Sequence, residues 1–149
     1  MCTIKYNIRT ILLIILITSF FAYAKNELKF ERLSLNQGAA LNLTYCMLQD
    51  HKGFVWFGTM YGLVKYDGME YKVYKNIPDS TNSISFDDII SLYEDKNNNI
   101  WIGTWGGGLN KLNPDTEHFS RYLTNGNKEG EISGNIIWTI CEDDDGNMW

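Results

Sequence analysis

The chain has 149 residues, 13 basic and 18 acidic, for a formal net charge of −5. That length fits one ordinary domain. The acidic balance argues against a nucleic-acid partner, because a negative surface repels phosphate backbones, and no basic amphipathic stretch points to a membrane-surface helix.

In chain order, Lys5 and Arg9 precede an apolar run over 11–21, ILLIILITSFF. Ala22, Tyr23 and Ala24 then supply the small residues a signal peptidase needs at its −3 and −1 subsites. This is the layout of a secretory signal peptide, 1–24, cleaved after Ala24. The apolar run is shorter than the about 20 residues of a spanning helix. Removal of Lys5 and Arg9 takes the charge of the remaining 25–149 to −7. Cys2 leaves with the leader and does not follow a lipobox. Cys46 and Cys141 are too few for a disulfide framework and read as small buried apolar residues.

A repeat follows. Residues 49–59 read QDHKGFVWFGT, residues 94–104 read EDKNNNIWIGT, and a third copy begins at 142–149 with EDDDGNMW. The tryptophans Trp56, Trp101 and Trp149 are 45 and 48 residues apart. Asp50, Asp95 and Asp143 each lie six residues before a tryptophan, and Gly53, Asn98 and Gly146 lie three before. Residues 83–95 run parallel to 131–143 at an offset of 48, so that Ile89, Leu92 and Asp95 match Ile137, Ile140 and Asp143.

Each copy predicts four short strands. In the second these are 89–94, 99–104, 109–113 and 118–123, with turns at 95–98, 105–108 and 114–116. Asn and Asp in the first turn tolerate positive φ and bond their own backbone. β-Branched and aromatic residues mark the strands, and Pro114 suits a turn that needs φ near −65°. In the first copy, Asp67-Gly68 predicts a two-residue hairpin. No segment beyond the leader holds a helical period.

Four strands in about 45 residues is the period of a propeller blade. The predicted fold is all-β: four-stranded antiparallel β-propeller blades at about 43–75 and 89–124, with the start of a third at 136–149. A blade cannot bury both of its faces alone, so neighbours must stack on it. Trp149 would end the chain inside a strand with an unpaired edge, which implies a fragment of a longer propeller.

Trp56, Trp101 and Trp149 resemble a sugar platform, but a residue repeated in every blade belongs to the inter-blade core. Trp105 has no tryptophan counterpart in the first copy and sits in a Gly-rich loop, where its ring is the one candidate for stacking on a ligand. The recurring aspartates read as turn formers. Around Asp143 the calcium-loop pattern fails, because Cys141 stands where an acidic ligand is needed. Gly106 to Gly108 lead into no helix, so they cradle no phosphate. His51 and His118 lie 67 residues apart without ligand spacing. No catalytic set, metal site or cofactor site is read.

These residues resemble the two-component regulator propeller repeat. The resemblance rests on GFVWFGT at 53–59 with Gly62-Leu63, and on NIWIGT at 99–104 with Gly107-Gly108-Leu109. It also covers 28–33, the turn at 66–68 and the linker at 79–84. Phe57 replaces the usual aliphatic residue, and Met60-Tyr61 replaces a commonly polar pair. The resemblance implies an exported, periplasmic sensor region of a membrane-bound two-component histidine kinase. Such sensors are followed by a β-domain, a membrane helix and the kinase, and many respond to oligosaccharides and control polysaccharide utilisation. It further implies a small-molecule or oligosaccharide ligand, a homodimer, and contact with the membrane only through a downstream helix. The other readings are a stand-alone secreted propeller that binds a glycan or protein, or the non-catalytic start of a propeller polysaccharide lyase.

Overall fold

A computed structural model describes residues 43–124, 126 and 131–149, together with Asn7, Leu28 and Lys29. The predicted leader and its cleavage site lie outside the described residues. Two units divide at Leu33/Ser34, and every strand lies in the second. Among the described residues no helix is long and apolar enough to cross a membrane.

Two four-stranded antiparallel sheets follow one another. The first holds β1 (Thr44–Gln49), β2 (Val55–Thr59), β3 (Gly62–Tyr66) and β4 (Tyr71–Tyr74). The second holds β5 (Ile89–Glu94), β6 (Ile100–Thr104), β7 (Leu109–Asn113) and β8 (His118–Tyr122). In both, spatial order equals chain order. The third copy shows the bridge Glu142↔Met148, and Cys141 and Trp149 exchange both backbone bonds at 2.8 and 2.9 Å. That pairing repeats the first hairpin of the other two copies.

The period-2 alternation of each strand sends its residues to opposite faces of the blade. From the first blade, Leu48, Trp56, Leu63 and Tyr74 face the second. They meet Leu92, Ile100, Ile102, Leu112 and Phe119, with Ile84 and Ile89 closing the cluster. The ring centroids of Trp56 and Tyr74 lie 5.9 Å apart, and Phe119 meets Tyr74 edge-on at 5.8 Å. Trp101 repeats the arrangement by stacking on Tyr122 at 5.6 Å. Trp56 is 0% exposed and Trp101 9% exposed, as the inter-blade reading requires. Trp149, in the third copy, is 74% exposed, with no blade packed over it among the described residues.

The glycine of the W-x-G-T motif sets how closely blades approach. A Cβ on Gly58 would stand 2.4 Å from Cys46 Sγ and 2.8 Å from Ile89 Cγ2. On Gly103 it would stand 2.0 Å from Ser91 Oγ and 2.5 Å from the carbonyl oxygen of Ile137. Ile89 and Ile137 thus occupy the same place one blade apart, consistent with the 48-residue offset.

The linker after β4 is fixed to the second blade. Arg121 donates to the carbonyls of Ser80 and Ser83, each at 2.8 Å, and Asn110 Oδ1 accepts from Ser85 N–H at 2.9 Å. Two expectations need correction. The hairpin after Tyr66 is a four-residue loop, 67–70, with Tyr66 paired to Tyr71. Asp67 N–H donates to the Glu70 carbonyl at 3.2 Å, so the chain reverses at Gly68 and Met69 rather than at Asp67-Gly68; the Asp67 carboxylate accepts the N–H groups of Met69 and Glu70, and the two tyrosine rings stack at 4.4 Å beneath. The cysteines are free, and whereas Cys46 is half-buried, Cys141 is exposed.

Candidate functional site

The most regular feature is a clamp. Asp50 Oδ1 accepts from the N–H groups of Lys52 and Phe54, while its Oδ2 accepts from the Trp56 indole at 2.8 Å. Asp95 accepts from Asn97 N–H, Asn99 N–H and the Asn99 amide, and from the Trp101 indole at 2.8 Å. Asp143 does the same with Asp145, Asn147 and, at 2.9 Å, the Trp149 indole. Each turn needs a left-handed residue to close, and Gly53 (φ 87°), Asn98 (φ 63°) and Gly146 (φ 86°) supply it. The aspartates are turn formers, as read from sequence. The indole bond is the further reason that aspartate and tryptophan keep a six-residue spacing.

Burial pushes the Asp95 carboxyl up, but its bonds from Asn99, Trp101 and Asn97 outweigh that, so it titrates below the usual carboxylate range. Asp143 is held down to about 2, first by the Trp149 indole and then by Asn147. The clamps therefore hold carboxylates whose lone pairs are already engaged, which suits scaffolding rather than proton transfer.

Antiparallel order sorts the connections to two ends of the blades. At one end lie the β1–β2, β3–β4, β5–β6 and β7–β8 turns, and this end is ionic. Lys52 pairs with Asp115 and Lys72 with Glu117. Between blades, Glu94 Oε2 accepts from His51 N–H at 3.0 Å, and Glu142 Oε2 accepts from Lys96 N–H at 3.0 Å. The His51 ring also meets Glu94. His118 lies on β8 and does not join it.

The other end carries the β2–β3 and β6–β7 loops and the inter-blade linkers, and it is aromatic. Trp105 is 44% exposed and meets Trp138, 66% exposed, edge to face with centroids 4.7 Å apart and planes at 80°. Tyr61, Met60 and Phe86 are exposed at the same end. Trp138 was not singled out in sequence, although a signal was present. A bulge between Thr44 and Cys46, repeated between Ile89 and Ser91, re-aims one residue of each first strand. Tyr45 and Ile90 are the residues at these bulges, and Trp138 matches Ile90 at the 48-residue offset.

The same end carries a cleft of about 320 Å³ lined by Met60, Asn76, Phe86, Asp87 and Asp88. Asp87 Oδ1 accepts from Asn76 N–H at 2.6 Å. Asp88 Oδ1 is buried and accepts no hydrogen bond among the described residues. Desolvation raises the Asp88 carboxyl above its ordinary range. The Asp88 carbonyl accepts from Trp105 N–H at 2.9 Å. Among the described residues, no three His, Cys, Asp or Glu side chains gather as a metal site.

Stacked four-stranded blades, joined through buried tryptophans and presenting one set of loops, define a β-propeller. The family model described as Two component regulator propeller matches residues 40–61, 83–106 and 131–149, and the chain carries repeats of that family. Two solved structures from B. thetaiotaomicron are similar to it. One is the extracellular domain of a protein described as hybrid two component system BT3049, with 31% identity, a TM-score of 0.71, 80% of this chain covered and 17% of that one. The other is the extracellular domain of BT4673, similarly described, with 31% identity, a TM-score of 0.56, 72% of this chain covered and 15% of that one. The chain thus spans about a sixth of the length of these relatives. No curated protein matches its sequence.

Proposed function

We propose that this chain is part of the ligand-sensing region, on the outer side of the membrane, of a two-component sensor that detects oligosaccharides. The observation that carries this reading is the match of its repeats to the two-component regulator propeller, joined to the likeness to extracellular domains of hybrid two-component systems. The apolar run at 11–21, with Ala22 and Ala24 behind it, supports export. The exposed aromatic loop face supports recognition of a small molecule, because loops on a rigid scaffold carry binding residues.

Signalling then requires that the ligand bind two arrangements of the sensor unequally, since a ligand shifts an equilibrium only by its differential affinity. Ligand bridging loops of adjacent blades changes how those blades pack, and a second sensor chain carries the change to a kinase. The test is the phosphorylation output of the intact protein, measured across a panel of oligosaccharides and other small solutes. Output that rises with one saccharide class supports the reading. Output that stays flat across the panel removes ligand sensing.

A further inference from the structure

Lys65 and Lys111 hold the same place on the third strand of their blades, opposite Trp56 and Trp101, and each ammonium lies 5.2 Å from the centre of that tryptophan ring. In the second blade Lys111 reaches back to the clamp, 4.0 Å from Asp95 Oδ2. The first blade departs from this. Phe54 stands where Asn99 stands, two residues before the tryptophan, and the Lys65 ammonium lies over its ring at 3.9 Å. Among the described residues Lys65 pairs with no carboxylate and its ammonium donates no hydrogen bond. It lines a pocket of about 250 Å³ together with Phe54, Asp67, Glu70, Tyr71 and Lys72. The pocket opens at the ionic end. Lys72 at its side reaches Glu117 of the second blade, so the blades on both sides of that joint carry all four strands.

We infer that this pocket is a subsite for a carboxylate-bearing sugar residue, a uronate, whose carboxylate is received by the Lys65 ammonium. The inference rests on the saccharide sensing proposed above and names the charge of the ligand. The neighbouring charges are already engaged. Asp67 accepts two turn N–H groups, Lys72 holds Glu117, and Lys52 holds Asp115. Glu70 is exposed at the rim, where solvent screens its like charge. Lys65 is therefore the cation of the pocket that remains free, with its N–H donors unused. A hydrogen bond to an ionised acceptor is roughly twice as strong as a neutral one, which favours a carboxylate over a hydroxyl at this place. Phe54 and Tyr71 offer apolar surface to the C–H groups of a sugar ring. The Tyr71 hydroxyl, which makes no hydrogen bond among the described residues, and the Glu70 carboxylate serve the ring hydroxyls. The volume is below the roughly 300–1,000 Å³ of a site for a drug-sized ligand, so the pocket takes one ring of a longer chain.

The experiment is calorimetric titration of the intact protein with acidic trisaccharides (trigalacturonate and trimannuronate), with the methyl ester of trigalacturonate, and with neutral maltotriose and cellotriose. An acidic sugar should bind, and esterification should remove its binding. Lys65→Met, which keeps the stem and removes the charge, should weaken binding about tenfold or more, the loss of one charged hydrogen bond. Lys65→Arg should keep most of the affinity, and Lys111→Met all of it. A melting profile unchanged by Lys65→Met separates lost contact from lost fold. If the acidic sugar binds Lys65→Met as tightly as the parent, or if the ester or the neutral sugars bind as well as the acid, the subsite is wrong while saccharide sensing stands. If no saccharide of either kind binds, both readings fall.

Discussion

The Asp95–Trp101 clamp allows a prediction whose size follows from its geometry. Asp95→Ala removes the acceptor for four donors: the N–H groups of Asn97 and Asn99, the Asn99 amide and the Trp101 indole. Asn97 is exposed and water replaces the lost bond. Asn99 and Trp101 are buried, so their donors stay unpaired. Each such donor costs about 1–3 kcal/mol, and the three left by Asp95→Ala give about 3–9 kcal/mol. Trp101→Phe deletes the indole N–H and keeps an aromatic ring stacked on Tyr122. A double-mutant cycle therefore isolates the indole bond, with an expected coupling of about 1–3 kcal/mol for a bond to a charged acceptor. The assay is urea unfolding of the intact protein, followed by circular dichroism of the β signal, with the midpoint shift multiplied by the slope. Additivity of the two substitutions to within about 0.5 kcal/mol would refute the clamp as an energetic unit and leave it a matter of turn geometry.

Other outcomes follow from the same structure. Gly103→Ala drives a methyl to 2.0 Å from Ser91 Oγ and 2.5 Å from the Ile137 carbonyl and should lower stability by about 1–3 kcal/mol or more, whereas Gly134→Ala, which meets nothing within 4 Å, should be silent in the same melt. Asp95 and Asp143 titrate below the ordinary 3.8, so their stabilising contribution is complete above that value and is lost as pH falls through their folded values. The unfolding midpoint should accordingly hold steady above about pH 5 and fall on the way to the Asp143 value of about 2. Asp143→Asn should move the lower end of that decline, as an acid titration of the midpoint would register. Burial pushes the Cys46 thiol up to about 11, so a thiol reagent at pH 8 should label exposed Cys141 first and leave Cys46 largely unmodified until the chain unfolds, as mass spectrometry of the peptides will read out.

Much of the fold was legible because the blade is written three times. Asp95, Asn98 and Trp101 recur at fixed offsets in the other copies, and repetition converts weak turn and strand propensities into one pattern. The bounds of β5 and β7 come out at the residues expected from sequence, and those of β6 and β8 differ by one residue at one end. What stayed hidden involves residues that meet only after folding. The bond between Asp95 and the Trp101 indole is a side-chain contact within the first hairpin of the blade, and propensity says nothing of it. The four-residue loop after Tyr66 depends on how the Asp67 carboxylate is spent, which Asp67-Gly68 alone does not specify. On the loop face, Trp105 stood out in sequence as a loop aromatic. Trp138 did not, because its kinship with Tyr45 and Ile90 shows only once strand register places those two at bulges. Asp88 carries no motif at all, and its unmatched oxygen is a property of packing.

The two glutamates that receive the turn N–H groups of His51 and Lys96 have a consequence for how such a protein changes length over time. Each blade carries a donor at its first turn and, one residue before its own aspartate, the carboxylate that accepts the donor of the blade before it. Plug and socket travel within one stretch of about 45 residues, so duplicating or deleting that stretch leaves every remaining joint matched. The first blade breaks the rule at one position. Gln49 stands where Glu94 and Glu142 stand in the others, and its amide turns inward to the Gly53 carbonyl at 3.3 Å. A duplicate of the second blade would therefore seat behind either neighbour, while a duplicate of the first would reach its predecessor without a socket.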